Sequence, residues 1–313
     1  MLLEMLRQKT VHTAAIMRGI GLHSGKPIDL TLRPAPPNTG IVFNRVDIDR
    51  CPPIEARAEN VVDMTRATTL GIGSVRIGTV EHLLSALYGL GVDNVYVDVS
   101  GAELPAGDGS AALFVDLILR AGVRTQRANK QIAVMRSTVE VHERDGFVRL
   151  SPAPRLTIDC DIEFAHPLIG SQRLAVDFTS NSYQRDVASA RTFGFWHEVE
   201  WLRSKGLALG GSFDNAIVVD DRGVMNPGGL RCSDEFVRHK VLDAVGDLAL
   251  LGMPVIGKLV CHKSGHALHN KLLRALLADP TAYEVVRPRA EQSLASLGVH
   301  LPDWAPAQEP LAA

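Results

Sequence analysis

Apolar and polar residues alternate along TVHTAAIMRG (10–19) and PIDLTLRPA (27–35). This predicts two strands, joined by the glycine-rich GIGLHSG (19–25). GIVFNRV (40–46) and SVRIGT (74–79) extend the pattern. EHLLSALYGLG (81–91) then reads as a short helix ended by glycine. NVYVDVSG (94–101) returns to a strand with Val95, Val97 and Val99 on one face. A loop containing Gly107 and Gly109 leads into a second helix, AALFVDLILRAG (111–122).

The second half repeats this order. Strands are predicted around a turn at Asp145-Gly146, then along LTIDCDIEF (156–164) and RLAVDFT (173–179). The segment from Ser182 to Gly210 is helical in parts, and NAIVVDD (215–221) is a strand. EFVRHKVLDAVGDLALLG (235–252) is a long helix ended by glycine, followed by the strand IGKLVCHKSG (256–265) and the helix ALHNKLLRALLAD (267–279). Each half thus closes as helix, glycine, strand, glycine-containing loop, helix. An offset of 157 places His82 on His239 and Gly109 on His266. The expectation is an α+β protein of two similar domains, each a layered sheet-and-helix sandwich, with internal duplication. The boundary falls in the polar stretch Arg127–Lys130, giving domains 1–128 and 129–313.

Bulk properties narrow the function. With 313 residues, 46% apolar and 22% charged, the chain can bury a core without disulfides or a structural metal, so a metal here would serve chemistry. A formal net charge of −2 argues against a general nucleic-acid binder. Cys51, Cys160, Cys232 and Cys261 form no C-x-x-C pair and read as free thiols in a reducing compartment. MLLEMLRQKT lacks the form of a signal peptide. The longest apolar run, Leu248–Ile256, is broken by Gly252 and Pro254, too short to span a bilayer. These features predict a cytoplasmic protein without a transmembrane segment. P-loop, dinucleotide-fingerprint, H-E-x-x-H and G-x-S-x-G patterns are absent.

Several residues could carry chemistry. His239, Asp243 and Asp247 stand at i, i+4 and i+8 on one helix face, while Val237, Val241, Leu242, Val245 and Leu248 supply an apolar face. Imidazole and carboxylate are zinc ligands, but such a stripe is equally a solvated face with helix ion pairs. Glu81 and His82 open the first-half helix, where Glu81 also suits the helix dipole. His266 opens the last helix, where its imidazolium is disfavoured unless a carboxylate such as Asp247 faces it. His262 and His269 read as surface histidines. Lys240, beside His239, could polarise a carbonyl or simply be solvated. RTFGF (191–195) and GLALGGSFDNAIVV (206–219) read as buried structure or the lining of an apolar site.

GIGLHSG (19–25), TVEHLLSAL (79–87), ELPAGDGSA (103–111), ARTFGF (190–195), GGSFDNAIV (210–218), DEFVRHKVLDAVGDL (234–248) and KSGHALHNKLL (263–273) together resemble the UDP-3-O-acyl-N-acetylglucosamine deacetylases of lipid A biosynthesis. The resemblance runs over almost the whole chain. It implies two similar α+β domains with a site between them, and an inserted element in the second domain forming an apolar passage for an acyl chain. It implies one Zn2+ per chain on His82, His239 and Asp243, with Glu81 as general base. His266 is implied as general acid or electrostatic partner, oriented by Asp247, with Thr192 and Lys240 near the reacting carbonyl. Met64, Phe193 and the segment around Gly211 are implied substrate contacts. The implied partner is the UDP-linked, 3-O-acylated glucosamine itself, with no obligate protein partner. Two histidines and a carboxylate also describe non-haem iron oxygenases. A nucleotide-sugar binding protein with a structural metal is the non-enzymatic alternative.

Overall fold

The structure, a computed structural model, describes residues 6–288 and 298–303. Two five-stranded sheets organise it. The first runs Ala15–Ile20, Pro27–Pro34, Val95–Val99, Ile41–Arg45, Ile54–Glu55. The second runs Val139–Glu143, Gly146–Ser151, Lys258–His262, Thr157–Glu163, Ser171–Asp177. In both, the middle strand is the last in chain order. It pairs antiparallel with one neighbour and parallel with the other. The two sheets therefore share one connectivity, and the fold is mixed α and β.

The described helices are α1 (Glu81–Gly89), α2 (Ala112–Ala121), α3 (Ser180–Asp186), α4 (Trp196–Ser204), α5 (Glu235–Leu248) and α6 (His266–Ala278). The middle strand of each sheet lies between two of these in sequence: α1 and α2 in the first half, α5 and α6 in the second. Every residue of α1 is buried, so this helix has no solvated face. Its two hydroxyls are both partnered: Ser85 Oγ accepts from Tyr183 Oη at 3.0 Å and Tyr88 Oη from Val255 N at 3.1 Å, which satisfies polar groups in an apolar setting. Leu83, Leu84 and Leu87 of α1 and Val241, Leu242 and Val245 of α5 belong to a single buried core that includes residues of both halves.

α1 and α5 meet at closest range where Gly246 faces the start of α1. A Cβ built on Gly246 would lie 2.1 Å from the Glu81 carbonyl oxygen. Only hydrogen fits there, and that close approach is what sets the spacing of the two helices.

The halves are also clasped by their loops. Gly210 N donates to Leu22 O at 3.1 Å and Leu209 N to His23 O at 3.2 Å. Buried Glu103 accepts from His23 N at 3.0 Å and Ser24 N at 2.7 Å, holding the 19–25 loop in place. Thr192 N donates to Gly109 O at 2.8 Å, and a Cβ on Gly109 would lie 2.1 Å from Asn215 O.

One sequence expectation needs correction, and another gains a strand. Arg127–Asn129 is not a connection: it ends the strand Val123–Asn129, which pairs with Arg7–Val11. Lys130 is buried, with its ammonium on Gly91 O at 3.0 Å and on Asp93. Strand partners change between Asn129 and Ile132, since Ile132–Met135 pairs with Val255–Ile256 and Tyr283–Val286. The polar composition misleads because backbone hydrogen bonds, not buried side chains, hold Val123–Asn129 in place. The segment 182–210 contains α3 and α4, but between them Phe193–Phe195 is a strand, paired in parallel with Ile217–Asp220. Among the described residues no helix is long and apolar enough to cross a membrane.

The helix contact is testable. Alanine favours a helix over glycine by about 1 kcal/mol, whereas forcing a methyl into a packed contact costs about 1–3 kcal/mol. Gly246→Ala is expected to lower stability in denaturant titration. A midpoint at or above the parent's would mean that the contact does not set the helix spacing.

Candidate functional site

The site lies across the α1–α5 contact. His82, one residue into α1, faces His239 and Asp243 of α5, and their ligand-type atoms lie within 4.8 Å of one another. Asp243 Oδ1 is 3.4 Å from His239 Nε2 and 3.8 Å from His82 Nε2, and the two rings meet edge-on at 5.1 Å. His239 Nδ1 faces Ala190 O at 3.0 Å, so it carries the proton and leaves the Nε2 lone pair toward Asp243. Lys240 Nζ donates to Asp243 Oδ2 at 2.9 Å. Asp243 Oδ1 is buried and makes no hydrogen bond.

Electrostatics place all three in ligand-competent form at neutral pH. Burial drives the His82 imidazole down to about 3, reinforced by His239. Burial also lowers His239, outweighing the pull of Asp243. Asp243 is pushed up by burial, but His239, Lys240, His266 and His82 together hold it well below the usual carboxylate range. Two neutral imidazoles and an ionised carboxylate with an unmatched oxygen are what a divalent cation requires. The residues fit a metal.

Asp247, His266 and His269 form a second such group. Its chemistry differs. Asp247 Oδ2 accepts from His266 Nδ1 and from His269 Nδ1, each at 2.7 Å, and Asp247 Oδ1 accepts from Thr68 Oγ1 at 2.6 Å. Both carboxylate oxygens are already satisfied, so this group is a hydrogen-bonded network. Burial opposes charge on His266, but Asp247, Asp243 and Glu81 outweigh it and raise the ring to about 9. The same network corrects one expectation. His269 is no surface histidine; it is buried, with its Nε2 3.0 Å from Ser264 Oγ. His262 is half-buried against Asp161 Oδ2 at 2.6 Å. It ends the sheet strand Lys258–His262, four residues before α6, and its partner is Asp161 rather than Asp247.

Glu81 is buried beside the metal-type group. Burial pushes its carboxyl up to about 7, opposed by His266 and aided by Asp243 and Asp247. Its Oε2 accepts from Thr68 N at 3.0 Å.

Two adjoining cavities open on these groups. One, of about 230 Å³, is lined by Glu81, His82, Thr192, Phe193, His239, Lys240, Asp243 and His266. The other, of about 430 Å³, shares Glu81, His82, Thr192 and Phe193 and continues along Leu22, Val199, Leu202, Gly211, Phe213 and Val218. Its far wall is apolar and comes from α4 and the following loop. Phe193 packs edge-on against Phe236 at 5.0 Å and lies under Lys240 Nζ at 5.5 Å. Met64 lines neither cavity and packs half-buried against the core.

Four contributors carry little signal in the sequence. Thr68 stands in a polar turn without periodicity. His269 stands on a helix face that is usually solvated. Arg191 and Glu235 form a buried ion pair at 2.8 and 3.1 Å; Glu235 also accepts from the Arg191 and Arg231 amides, tying the 190–195 segment to the start of α5. An acidic residue in the first turn of α5 was the one available signal for it.

Residues 8–278 match the family described as UDP-3-O-acyl N-acetylglycosamine deacetylase. A relative from Myxococcus xanthus (strain DK1622), named UDP-3-O-acyl-N-acetylglucosamine deacetylase, is 51% identical over 292 residues, 93% of each chain. One of the same name from Acidithiobacillus ferrooxidans is 52% identical over 284 residues, 90% of this chain and 93% of the relative. A third from Anaeromyxobacter sp. (strain Fw109-5) is 50% identical over 280 residues, 90% of this chain and 91% of its own.

Removing one partner of a buried ion pair leaves the other charge uncompensated, at about 3–5 kcal/mol. Glu235→Ala is expected to destabilise the chain by that order in chemical denaturation. A change below about 1 kcal/mol would show the pair to be solvated rather than buried.

Proposed function

The chain belongs to the UDP-3-O-acyl N-acetylglycosamine deacetylase family, and on that premise we propose that it hydrolyses the 2-acetamido group of a UDP-linked, 3-O-acylated glucosamine in lipid A biosynthesis. Acetate leaves and a free amine remains. The observation that carries this reading is the unmatched Asp243 Oδ1 between two neutral imidazoles, beside a buried carboxyl and an apolar cavity. His82, His239 and Asp243 would hold one zinc per chain, which when bound supplies a Lewis acid for the amide carbonyl and an acidified water.

The chain's own residues supply the rest. Glu81, raised toward neutrality and aimed by the Thr68 amide, takes the water's proton. Lys240, tethered to Asp243, and Thr192, on the shared cavity wall, stabilise charge developing on the carbonyl oxygen. His266, held protonated by Asp247, donates to the departing amine, which is a poor leaving group without that proton. The apolar wall from α4 to Val218 takes the acyl chain, with Phe193 and Gly211 at its lining. Met64 is better read as a packing residue. Four free cysteines accord with a cytoplasmic enzyme.

The direct test is acetate release from the sugar nucleotide by the metal-loaded protein, before and after chelation. Release that chelation abolishes and zinc restores is expected. No release from the loaded protein would contradict the proposal. Glu81→Gln is expected to lose about 10²–10⁴-fold in turnover with metal content unchanged. Loss of metal in that variant would assign Glu81 to the ligand set instead.

The pH dependence has a defined sign. His266 is raised above its ordinary value, so its protonated form persists at neutral pH and is lost as pH rises through about 9. Activity should fall along that alkaline limb. Asp247→Asn removes the charge that raises His266 and should move the limb to lower pH. An unmoved limb would show that His266 does not set it.

A further inference from the structure

Thr68 is buried at the entry to the strand Thr69–Ile72 and lies between the two groups assigned to proton transfer. Three of its atoms are engaged. Its amide donates to Glu81 Oε2 at 3.0 Å. Its hydroxyl donates to Asp247 Oδ1 at 2.6 Å, within the range of charge-assisted O–H···O⁻ bonds, and lies 3.3 Å from His266 Nδ1. Its carbonyl accepts from Val80 N at 3.3 Å, one residue before Glu81. Asp247 Oδ2 is shared by His266 and His269, so the Thr68 hydroxyl is the donor that fills the other oxygen and fixes the carboxylate plane. Glu81 comes from the first half; Asp247 and His266 come from the second. One residue of the first half therefore reaches both.

We propose that Thr68 is a positioning residue that holds the Glu81 carboxylate and the His266–Asp247 pair at a fixed separation, its amide anchoring one and its hydroxyl the other. This rests on the reading of Glu81 and His266 as the proton-transferring groups. Amide and hydroxyl belong to one residue, so covalent geometry sets the distance between the two anchors. Threonine suits the task because its branched Cβ restricts χ1 and so aims the hydroxyl. Valine keeps that shape and the amide but removes the hydroxyl. Serine keeps the hydroxyl with a freer torsion.

The test uses the full, metal-loaded chain. Thr68→Val is expected to lose on the order of 10–100-fold in kcat, with KM within about twofold of the parent and metal content unchanged. Thr68→Ser is expected to recover most of the loss. In the Thr68→Val, Asp247→Asn double variant the two losses should overlap rather than multiply. Parent-like kcat in Thr68→Val, failure of serine to rescue, or multiplying losses would each overturn the proposal. Thr68→Ala replaces the valine variant if the latter does not fold.

A second readout is independent of turnover, so it separates this proposal from the assigned reaction. Ring NMR of His266 follows its Nδ1–H. That resonance should match the parent in Thr68→Ser and shift or exchange away in Thr68→Val. An unchanged resonance in Thr68→Val overturns the proposal whatever the chain hydrolyses, whereas parent protein that releases no acetate contradicts the reaction alone.

Discussion

The contact between α1 and α5 at Gly246 is the constraint on which the site depends. Gly246 lies between Asp243 and Asp247 on α5, and across from it is the backbone of Glu81, next to His82. A side chain at Gly246 would push the two helices apart. His82 would then withdraw from His239 and Asp243, and Glu81 from the network around Asp247. The burial of every α1 residue follows from the same approach, and burial in turn sets the charge states. The loops that clasp the halves together, at Gly210 against Gly21 and Gly109 against Asn215, keep the α4 side of the cavity in register with this contact.

Low dielectric surroundings act in opposite directions on neighbouring groups. They strip charge from His82 and His239, raise Glu81 to about 7, and yet leave His266 protonated because Asp247 sits 2.7 Å from its ring. Two carboxylates four residues apart on α5 thus stand in different hydrogen-bonding states. Asp243 keeps one oxygen unmatched, while Asp247 has both oxygens bound by donors. Hydrogen-bond saturation, rather than residue type, separates the group around Asp243 from the network around Asp247.

Much of this was legible in the chain. The i, i+4, i+8 stripe of His239, Asp243 and Asp247 placed three residues of the two clusters on one helix face, and the helix–strand–helix order appeared in both halves. Alternation located most strands because their inner faces are buried. It could not locate Val123–Asn129, whose polar side chains carry no alternation signal. Nor could it assign Thr68 or His269, since their roles arise from contacts between residues 179 and 22 positions apart in the chain. GIGLHSG read only as a glycine-rich connection and GLALGGSFDNAIVV as buried structure or the lining of an apolar site; their use in clasping two halves becomes visible only when both loops are in place. Met64 entered by resemblance alone, and the cavities give it no contact with the site.

One cation would be held across the α1–α5 contact, by one residue from the first half and two from the second. Anomalous diffraction at the zinc edge, on crystals of the zinc-loaded protein, tests it directly. One strong peak is expected at about 2.0–2.2 Å from His82 Nε2, His239 Nε2 and Asp243 Oδ1. A principal peak instead at Asp247, His266 and His269, or none on either group, would contradict it.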